Sequence, residues 1–77
     1  MRGWAVLLHN DDVNDVAFVA RSVVMVARLP LNEAVRCTYE AHDSGVALIL
    51  VTHRERAELY QEQFESLGLS VTIEPAR

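Results

Sequence analysis

The 77-residue sequence has too few cysteines for covalent or cysteine-based metal stabilisation. With Cys37 as its one cysteine it can form no intramolecular disulfide, and no cysteine pair is available to bind a metal. We therefore expect a reducing compartment, the cytoplasm, and a fold held by packing and hydrogen bonds. The chain length allows a single hydrophobic core, which predicts one domain over residues 1–77.

The chain also lacks concentrated positive charge and a long apolar run. Its seven basic residues are scattered arginines and its net charge is -4, so we expect no nucleic-acid partner. The longest apolar stretch, residues 16–29, is interrupted by two arginines and a serine, so it falls short of the roughly 20 apolar residues of a membrane span. No export signal is predicted at the N-terminus, where residues 1–3 precede the first apolar run.

The order of apolar runs and turn residues predicts an α+β fold. Residues 46–51 (VALILV) form a short uninterrupted apolar run, which predicts a fully buried strand. We expect a small three-stranded antiparallel sheet with three helices on one face, in the order β-α-α-β-α-β. The predicted elements are a strand over 4–9, helices over 14–29 and 31–42, the strand over 46–51, a helix that ends at Gly68, and a strand over 69–74.

Helix boundaries are predicted from residues that favour helix ends. We expect Asn14 to be the N-cap of the first helix, and Asn32 or its neighbours to cap the second. Asparagine side chains accept hydrogen bonds from free backbone N–H groups at helix starts. Gly45 suits the left-handed conformation that closes a helix. Thr52 with Glu55 three residues later predicts a capping box at the start of the third helix.

The densest polar cluster runs from His9 to Asn14, at a strand-to-helix junction where groups can converge on a ligand. Alternatively, its Asn and Asp residues only turn the chain and cap the helix. His9, His42 and His53 lack the short spacing of metal ligands, so we expect no metal and no cofactor. Cys37 lies on a predicted apolar helix face, and no serine has the glycine context of a nucleophile elbow. The sequence therefore predicts a binding module and not an enzyme.

Four segments, in order, resemble the ClpS family of adaptors. Residues 6–12 (VLLHNDD) are similar to the strand and Asn-Asp-Asp motif that open the ClpS core, and residues 16–19 (VAFV) to its first helix. Ala34 with residues 41–45 (AHDSG) resembles the family's A…HxxG signature, and residues 55–58 (ERAE) its E-x-A-E helix. The alignment needs no gap from the first strand to the end of the third helix, so the order and spacing of the motifs are specific together.

The resemblance implies a site that binds the first residue of proteins marked for degradation by their N-terminus (N-degrons). Asn10, Asp11 and His42 match positions that bind the free α-amino group, and Asn14 lies beside them where the family often has Thr or Ser. An ammonium offers three donors, which an amide oxygen, a carboxylate and a neutral imidazole can accept. The implied hydrophobic pocket, classically for Leu, Phe, Tyr or Trp, consists of Val16, Val19, Thr38, Ala41 and Leu69.

The resemblance also implies a partner, a Clp-family AAA+ unfoldase that receives the substrate from a monomeric adaptor. Glu55 and Tyr60 match the positions that dock this unfoldase, although Tyr60 replaces a typically basic residue. In the pocket, Val16 stands where the family has a long Met that excludes β-branched ligands, and Thr38 stands where an apolar residue such as Met is common. These two departures bear on substrate preference.

A second interpretation remains open from the sequence. A small sheet with helices on one face also suits a structural domain such as the C-terminal domain of the ribosomal stalk protein, which the ClpS core resembles. In that case residues 10–14 would only cap a helix. A cavity between the first two helices, lined by Asn10 and His42, would favour the adaptor.

Overall fold

The computed structural model describes residues 3–76, in which three strands and three helices follow one another in the predicted order. Residues 1, 2 and 77 lie outside the described part of the chain, and so does most of the segment on which the prediction about an N-terminal signal rested. The elements are β1 (Trp4–His9), α1 (Val16–Ala27), α2 (Leu31–Ser44), β2 (Val46–Thr52), α3 (Arg54–Ser66) and β3 (Val71–Pro75).

The three strands form one antiparallel sheet in the order β2-β1-β3, with the helices on one face. β1 is the central strand, and its Val6 and Leu8 are almost fully buried in the core. The register between β1 and β2 shifts after Val6, where Ile49 is an extra residue on β2, as in a β-bulge. The predicted α+β architecture is confirmed.

β2 is buried on one side only, so the prediction of a fully buried strand is wrong. Ala47 and Ile49 belong to the core, whereas Val46, Leu48 and Val51 are exposed. The sequence offered no polar residue to mark the outer face of this strand. Exposed apolar side chains are common on protein surfaces, so an apolar run alone does not establish burial on both sides.

The core lies between the sheet and the helices, and each helix contributes apolar side chains to it. Val23 from α1, Cys37 from α2 and Phe64 from α3 are fully buried there. Burial of a side chain such as Phe64 contributes about 1.5–3 kcal/mol of transfer free energy. Val16, the first residue of α1, remains 37% exposed.

α1 begins at Val16, later than predicted, because Asp15 and not Asn14 is its N-cap. The Asp15 carboxylate accepts the Phe18 backbone N–H at 2.8 Å. Asn14 donates its side-chain amide to Asp11 and to the Gly68 carbonyl instead, so its side chain has a different task.

α1 also ends earlier than the predicted boundary near Leu29. Its C-cap is Arg28, which adopts the left-handed conformation (φ 60°, ψ 30°) and donates its backbone N–H to the Val24 carbonyl at 3.0 Å. A left-handed residue interrupts the helical hydrogen-bond pattern, so the helix stops at Ala27.

α2 follows a different pattern at its two ends. Its N-cap is Pro30, which makes no side-chain capping hydrogen bond, so the predicted cap at Asn32 is wrong. Its C-cap is Gly45, as predicted, with φ 92° and its N–H donated to the Ala41 carbonyl at 2.9 Å. The helix extends to Ser44, two residues beyond the predicted end.

The predicted capping box at the start of α3 is wrong. Thr52 is the last residue of β2, where it is paired with Trp4, and this pairing keeps it in the strand. His53 is the N-cap and makes no side-chain capping bond, while Glu55 supplies negative charge in the first helical turn. That charge suits the positive end of the helix dipole.

α3 ends in a Schellman motif around Gly68, which has φ 85°. The Leu69 N–H donates to the Phe64 carbonyl at 3.1 Å and the Gly68 N–H to the Glu65 carbonyl at 2.9 Å. Leu69 therefore belongs to the turn after α3, and β3 starts at Val71, two residues later than predicted.

Candidate functional site

The loop between β1 and α1 is organised around the Asp11 carboxylate. Its Oδ1 accepts the backbone N–H groups of Val13 (2.8 Å) and Asn14 (3.4 Å), and its Oδ2 accepts the Asn14 Nδ2 (2.5 Å). The same Nδ2 donates to the Gly68 carbonyl at 3.0 Å. Because both partners of this nitrogen are acceptors, the orientation of the Asn14 amide is determined, and its Oδ1 stays on the opposite side as an acceptor.

These hydrogen bonds favour the ionised form of Asp11. The side chain of Asn14 contributes most to lowering the pKa of Asp11, followed by the Val13 backbone N–H, while burial acts in the opposite direction. Asp11 therefore orders the loop and gives it a fixed negative charge.

Backbone hydrogen bonds hold the start of this loop against two other parts of the fold. The His9 N–H donates to the Ser70 carbonyl at 2.9 Å, and the Asn10 N–H donates to the Gly45 carbonyl at 3.0 Å. Gly45 directly follows α2, whose last turn includes His42. The Asn10–Gly45 bond thus brings the polar loop close to His42, which is distant in sequence.

A cavity of about 320 Å³ lies between α1, α2 and the loop. Its lining contains all four predicted amine-binding positions and four of the five predicted pocket positions. In the first group are Asn10, Asp11, Asn14 and His42, and in the second Val16, Val19, Thr38 and Ala41.

The inner part of the cavity is apolar although it contains a threonine. Val19, Thr38 and Ala41 are each at most 6% exposed. The Thr38 hydroxyl donates to the Ala34 carbonyl, one turn earlier in α2, at 2.8 Å. Since this bond satisfies the hydroxyl within the helix, Thr38 adds little polarity to the cavity wall.

Leu69 does not line the cavity, unlike the other four predicted pocket positions. It is 4% exposed and packs in the main core, in the turn that closes α3. The Schellman hydrogen bonds explain this location, because they direct the apolar residue after Gly68 back onto its own helix.

Glu55 and Tyr60 lie on α3 and away from the cavity. Glu55 is exposed in the first helical turn, whereas Tyr60 is half-buried and packs against the core. The guanidinium of Arg56 lies over the Tyr60 ring, with its Cζ 5.2 Å from the ring centroid.

The cavity also includes residues that were not predicted as site residues. Leu8 contributes at the end of β1, and His9, Asp12 and Asp15 belong to the loop or its edges. Asp12 and Asp15 are exposed, so they add negative charge near the cavity. His9, Asp12 and Asp15 lie within or next to the polar cluster at residues 9–14. This location was the one indication in the sequence that they belong to the site.

The described residues give no sign of a metal centre or of a membrane segment. Between residues 3 and 76, no three His, Cys, Asp or Glu side chains are grouped as metal ligands would be. Within the same range, every helix is too short or too polar to cross a bilayer.

Known proteins match this chain over most of its length. The family model for the ATP-dependent Clp protease adaptor protein ClpS matches residues 1–72. The chloroplastic Clp protease adapter protein CLPS1 of Chlamydomonas reinhardtii is 40% identical over 73 residues, and ClpS of Synechococcus elongatus is 42% identical over 73 residues. Each match covers 94% of this chain, but the chain spans 45% of the algal protein and 77% of the cyanobacterial one.

A solved structure agrees with this assignment in both fold and extent. Agrobacterium tumefaciens ClpS2, bound to L-phenylalaninamide, matches with a TM-score of 0.93 and 30% sequence identity. The match covers 97% of this chain and 98% of that one. The chain described here belongs to the ClpS family of adaptors of the ATP-dependent Clp protease.

Proposed function

We propose that this chain binds the free N-terminal residue of N-degron proteins in the cavity and delivers these proteins to a Clp-family AAA+ protease. The observation that carries the proposal is the composition of the cavity, which combines an apolar interior with acceptor groups from Asn10, Asp11 and His42. L-phenylalaninamide, the ligand of the related Agrobacterium tumefaciens ClpS2, has the same two parts, a free α-amino group and an apolar side chain.

The polar rim is suited to an ammonium group. An α-ammonium needs acceptors for three N–H bonds, and the rim offers an amide oxygen, an ionised carboxylate and an imidazole nitrogen. The negative charge of Asp11 also favours a cation electrostatically. Asn14 supports the rim by holding Asp11 in place, and its own Oδ1 is a further acceptor.

The apolar interior is suited to a bulky hydrophobic side chain, β-branched ones included. A cavity of about 320 Å³ is within the usual size of small-ligand pockets. Its walls are short side chains, Val16, Val19, Thr38 and Ala41, which leave room for the side chain of the substrate. A structural domain of the ribosomal-stalk type would need no such cavity, so its presence supports the adaptor.

Delivery requires a second surface, for which we propose Glu55 and Tyr60 on α3. Both lie outside the cavity, so a bound N-degron would leave them accessible. We further propose that residues 1–77 act as one domain, in the bacterial cytoplasm or a plastid, as suggested by the cyanobacterial and chloroplastic relatives.

Amine recognition is tested by titrating two fluorescent peptides that begin with Phe and differ only in N-terminal acetylation. We expect saturable binding of the free peptide and loss of binding after acetylation. Asn10→Ala and His42→Ala should each weaken the free peptide by about 10- to 100-fold, the consequence of leaving a charged donor without an acceptor.

Matched controls are available because neither Asn32 nor His53 lines the cavity. Asn32→Ala and His53→Ala should bind like the native chain. Equal affinity for the free and acetylated peptides would show that the α-amino group is not recognised. Equal loss in Asn32→Ala and Asn10→Ala would show that the effect does not come from the cavity.

A further inference from the structure

A groove of about 450 Å³ lies at the other end of α1, between this end and α3. Its apolar part includes Met25 of α1 and Leu59 and Tyr60 of α3, together with Val26 and Leu67. Met25 is 64% exposed and Leu59 is 43% exposed, so neither side chain is fully buried by packing within the fold. The last α1 residue that lines the cavity is Val19 and the first that lines the groove is Met25, so about 9 Å of helix separates the two sites.

The groove is positively charged although the chain as a whole is acidic. Arg28 and Arg56 line it, and no Asp or Glu does, in a chain with a net charge of -4. Among residues 3–76, neither arginine has a carboxylate partner, whereas Arg36 and Arg54 each pair with glutamates of their own helix. The two groove arginines therefore have donors available for an external acceptor.

The geometry of Arg56 favours such an acceptor. Its guanidinium lies over the Tyr60 ring, with Cζ 5.2 Å from the centroid. This cation–π contact restricts the guanidinium and leaves it N–H groups with which to bind a carboxylate.

Arg28 occupies a backbone conformation that favours glycine. Its φ of 60° is the one positive φ of a non-glycine residue in the described part of the chain, whereas Gly45 and Gly68 occupy the other two such positions. A side chain at such a position has a steric cost. The positive charge does interact favourably with the C-terminal end of α1, so a capping role for Arg28 has to be separated experimentally from a binding role.

From these observations we propose that the groove binds an acidic segment of a partner protein, in which carboxylates flank one apolar side chain. Arg28 and Arg56 would bind the carboxylates, and Met25 with Leu59 would contact the apolar side chain. Methionine adapts its shape to different apolar partners, which suits a surface of this kind. The proposal does not depend on amine recognition in the cavity, and it shares only Tyr60 with the proposed unfoldase-docking residues.

The test uses two acetylated peptides, acetyl-Glu-Asp-Phe-Glu-Asp-amide and the neutral acetyl-Gln-Asn-Phe-Gln-Asn-amide. Acetylation removes the group that the cavity is proposed to recognise. Titration is followed by amide NMR chemical shifts, which report both affinity and location. We expect shifts at Met25, Leu59 and Gln63, tighter binding of the acidic peptide by about 10-fold, and weaker binding at high salt.

Variants separate binding from helix capping. Arg28→Gln and Arg56→Gln should each weaken the acidic peptide by about 3- to 10-fold. Arg21→Gln is the matched control, because Arg21 is an exposed arginine of α1 that lines neither the groove nor the cavity. Arg28→Gly removes the side chain without backbone strain, so it should weaken the peptide to the same extent while Tm is unchanged or higher.

Four results would overturn the proposal. They are no saturable shift at the groove, equal affinity for the acidic and neutral peptides, shifts confined to the cavity around Asn10 and His42, and an equal loss in Arg21→Gln. A lower Tm in Arg28→Gly without any loss of peptide binding would assign Arg28 to helix capping and would also overturn it.

Discussion

Val16 offers the sharpest test of substrate selection, because it stands at the position where the ClpS resemblance implies a longer methionine. Val16 is the first residue of α1, lines the cavity and is 37% exposed. In the family, the long Met is implied to exclude ligands that are branched at Cβ. Valine cannot reach as far, so peptides beginning with Ile or Val should be tolerated here.

The expected size of the effect follows from the contact that Val16→Met would add. A full methyl or methylene contact is worth about 1 kcal/mol, or roughly 5-fold in discrimination. Because the Val16 side chain is partly exposed, only part of this contact would be made. We expect Val16→Met to raise the preference for Leu over Ile by about 2- to 5-fold without abolishing Leu binding.

The assay is competition of Leu-, Ile-, Phe- and Val-initiated peptides against a labelled peptide. Methionine at the first helical position is at least as favourable to helix formation as valine, so stability should not fall. Val13→Met is the matched control, because Val13 is 90% exposed and does not line the cavity. An unchanged Leu-to-Ile ratio in Val16→Met, or the same change in Val13→Met, would refute the assignment of Val16 as the selecting residue.

Three further predictions concern stability and reactivity. The hydrogen bonds that Asp11 accepts lower its pKa in the folded chain. Their contribution to the stability of the fold is therefore fully present above the unfolded-state pKa of about 3.9, and it is lost as pH falls through the lower folded-state pKa. The unfolding free energies of native and Asp11→Ala chains should differ by less than about 1 kcal/mol at pH 7, given the partial exposure of Asp11, and the difference should narrow below pH ~4 in urea titrations. Gly68→Ala should cost about 1 kcal/mol in the same titrations because Gly68 has φ 85°, and an unchanged midpoint would contradict the Schellman assignment. Burial raises the pKa of the Cys37 thiol, so alkylation should be slow in the native chain and fast in urea; equal rates would mean that the thiol is accessible.

The order of elements could be predicted because it depends on local patterns. Cys37, which the sequence places on an apolar helix face, is fully buried. Gly45 was correctly assigned as a C-cap because glycine is the residue that most readily adopts the left-handed conformation. These signals are contained in short stretches of sequence.

Two of the errors at helix ends arise from partners that are remote in sequence. Asn14 looks like an N-cap, but the Gly68 carbonyl, 54 residues away, accepts its side-chain amide, and Asp15 caps the helix instead. Thr52 looks like the first residue of a capping box, but its pairing with Trp4 keeps it in β2. No local pattern could have revealed either partner.

The candidate site shows the same difference between local patterns, which could be predicted, and remote partners, which could not. Local motifs identified its polar loop, and resemblance joined that loop to His42 on α2, because no periodicity relates the two. Leu69 was predicted to line the cavity as part of the last strand, whereas the Schellman hydrogen bonds place it in the turn after α3, where it packs in the core. The sequence pattern that predicted a strand over residues 69–74 could not indicate where that strand begins.

The distribution of charge along α1 connects the two proposed sites. Asp15 lies at the N-terminal end beside the cavity, and Arg28 lies at the C-terminal end beside the groove. Each charge is favourable to the helix dipole, by about 0.3–1 kcal/mol, so stability alone could account for its sign. It does not account for the conformation of Arg28, because a glycine would close the helix without a steric cost. Nor does it account for Asp12, which precedes the helix, is exposed and adds negative charge where an ammonium is proposed to bind. The two ends of α1 therefore differ in features that the helix dipole does not explain, and these features support the proposed ammonium site at one end and the proposed carboxylate site at the other.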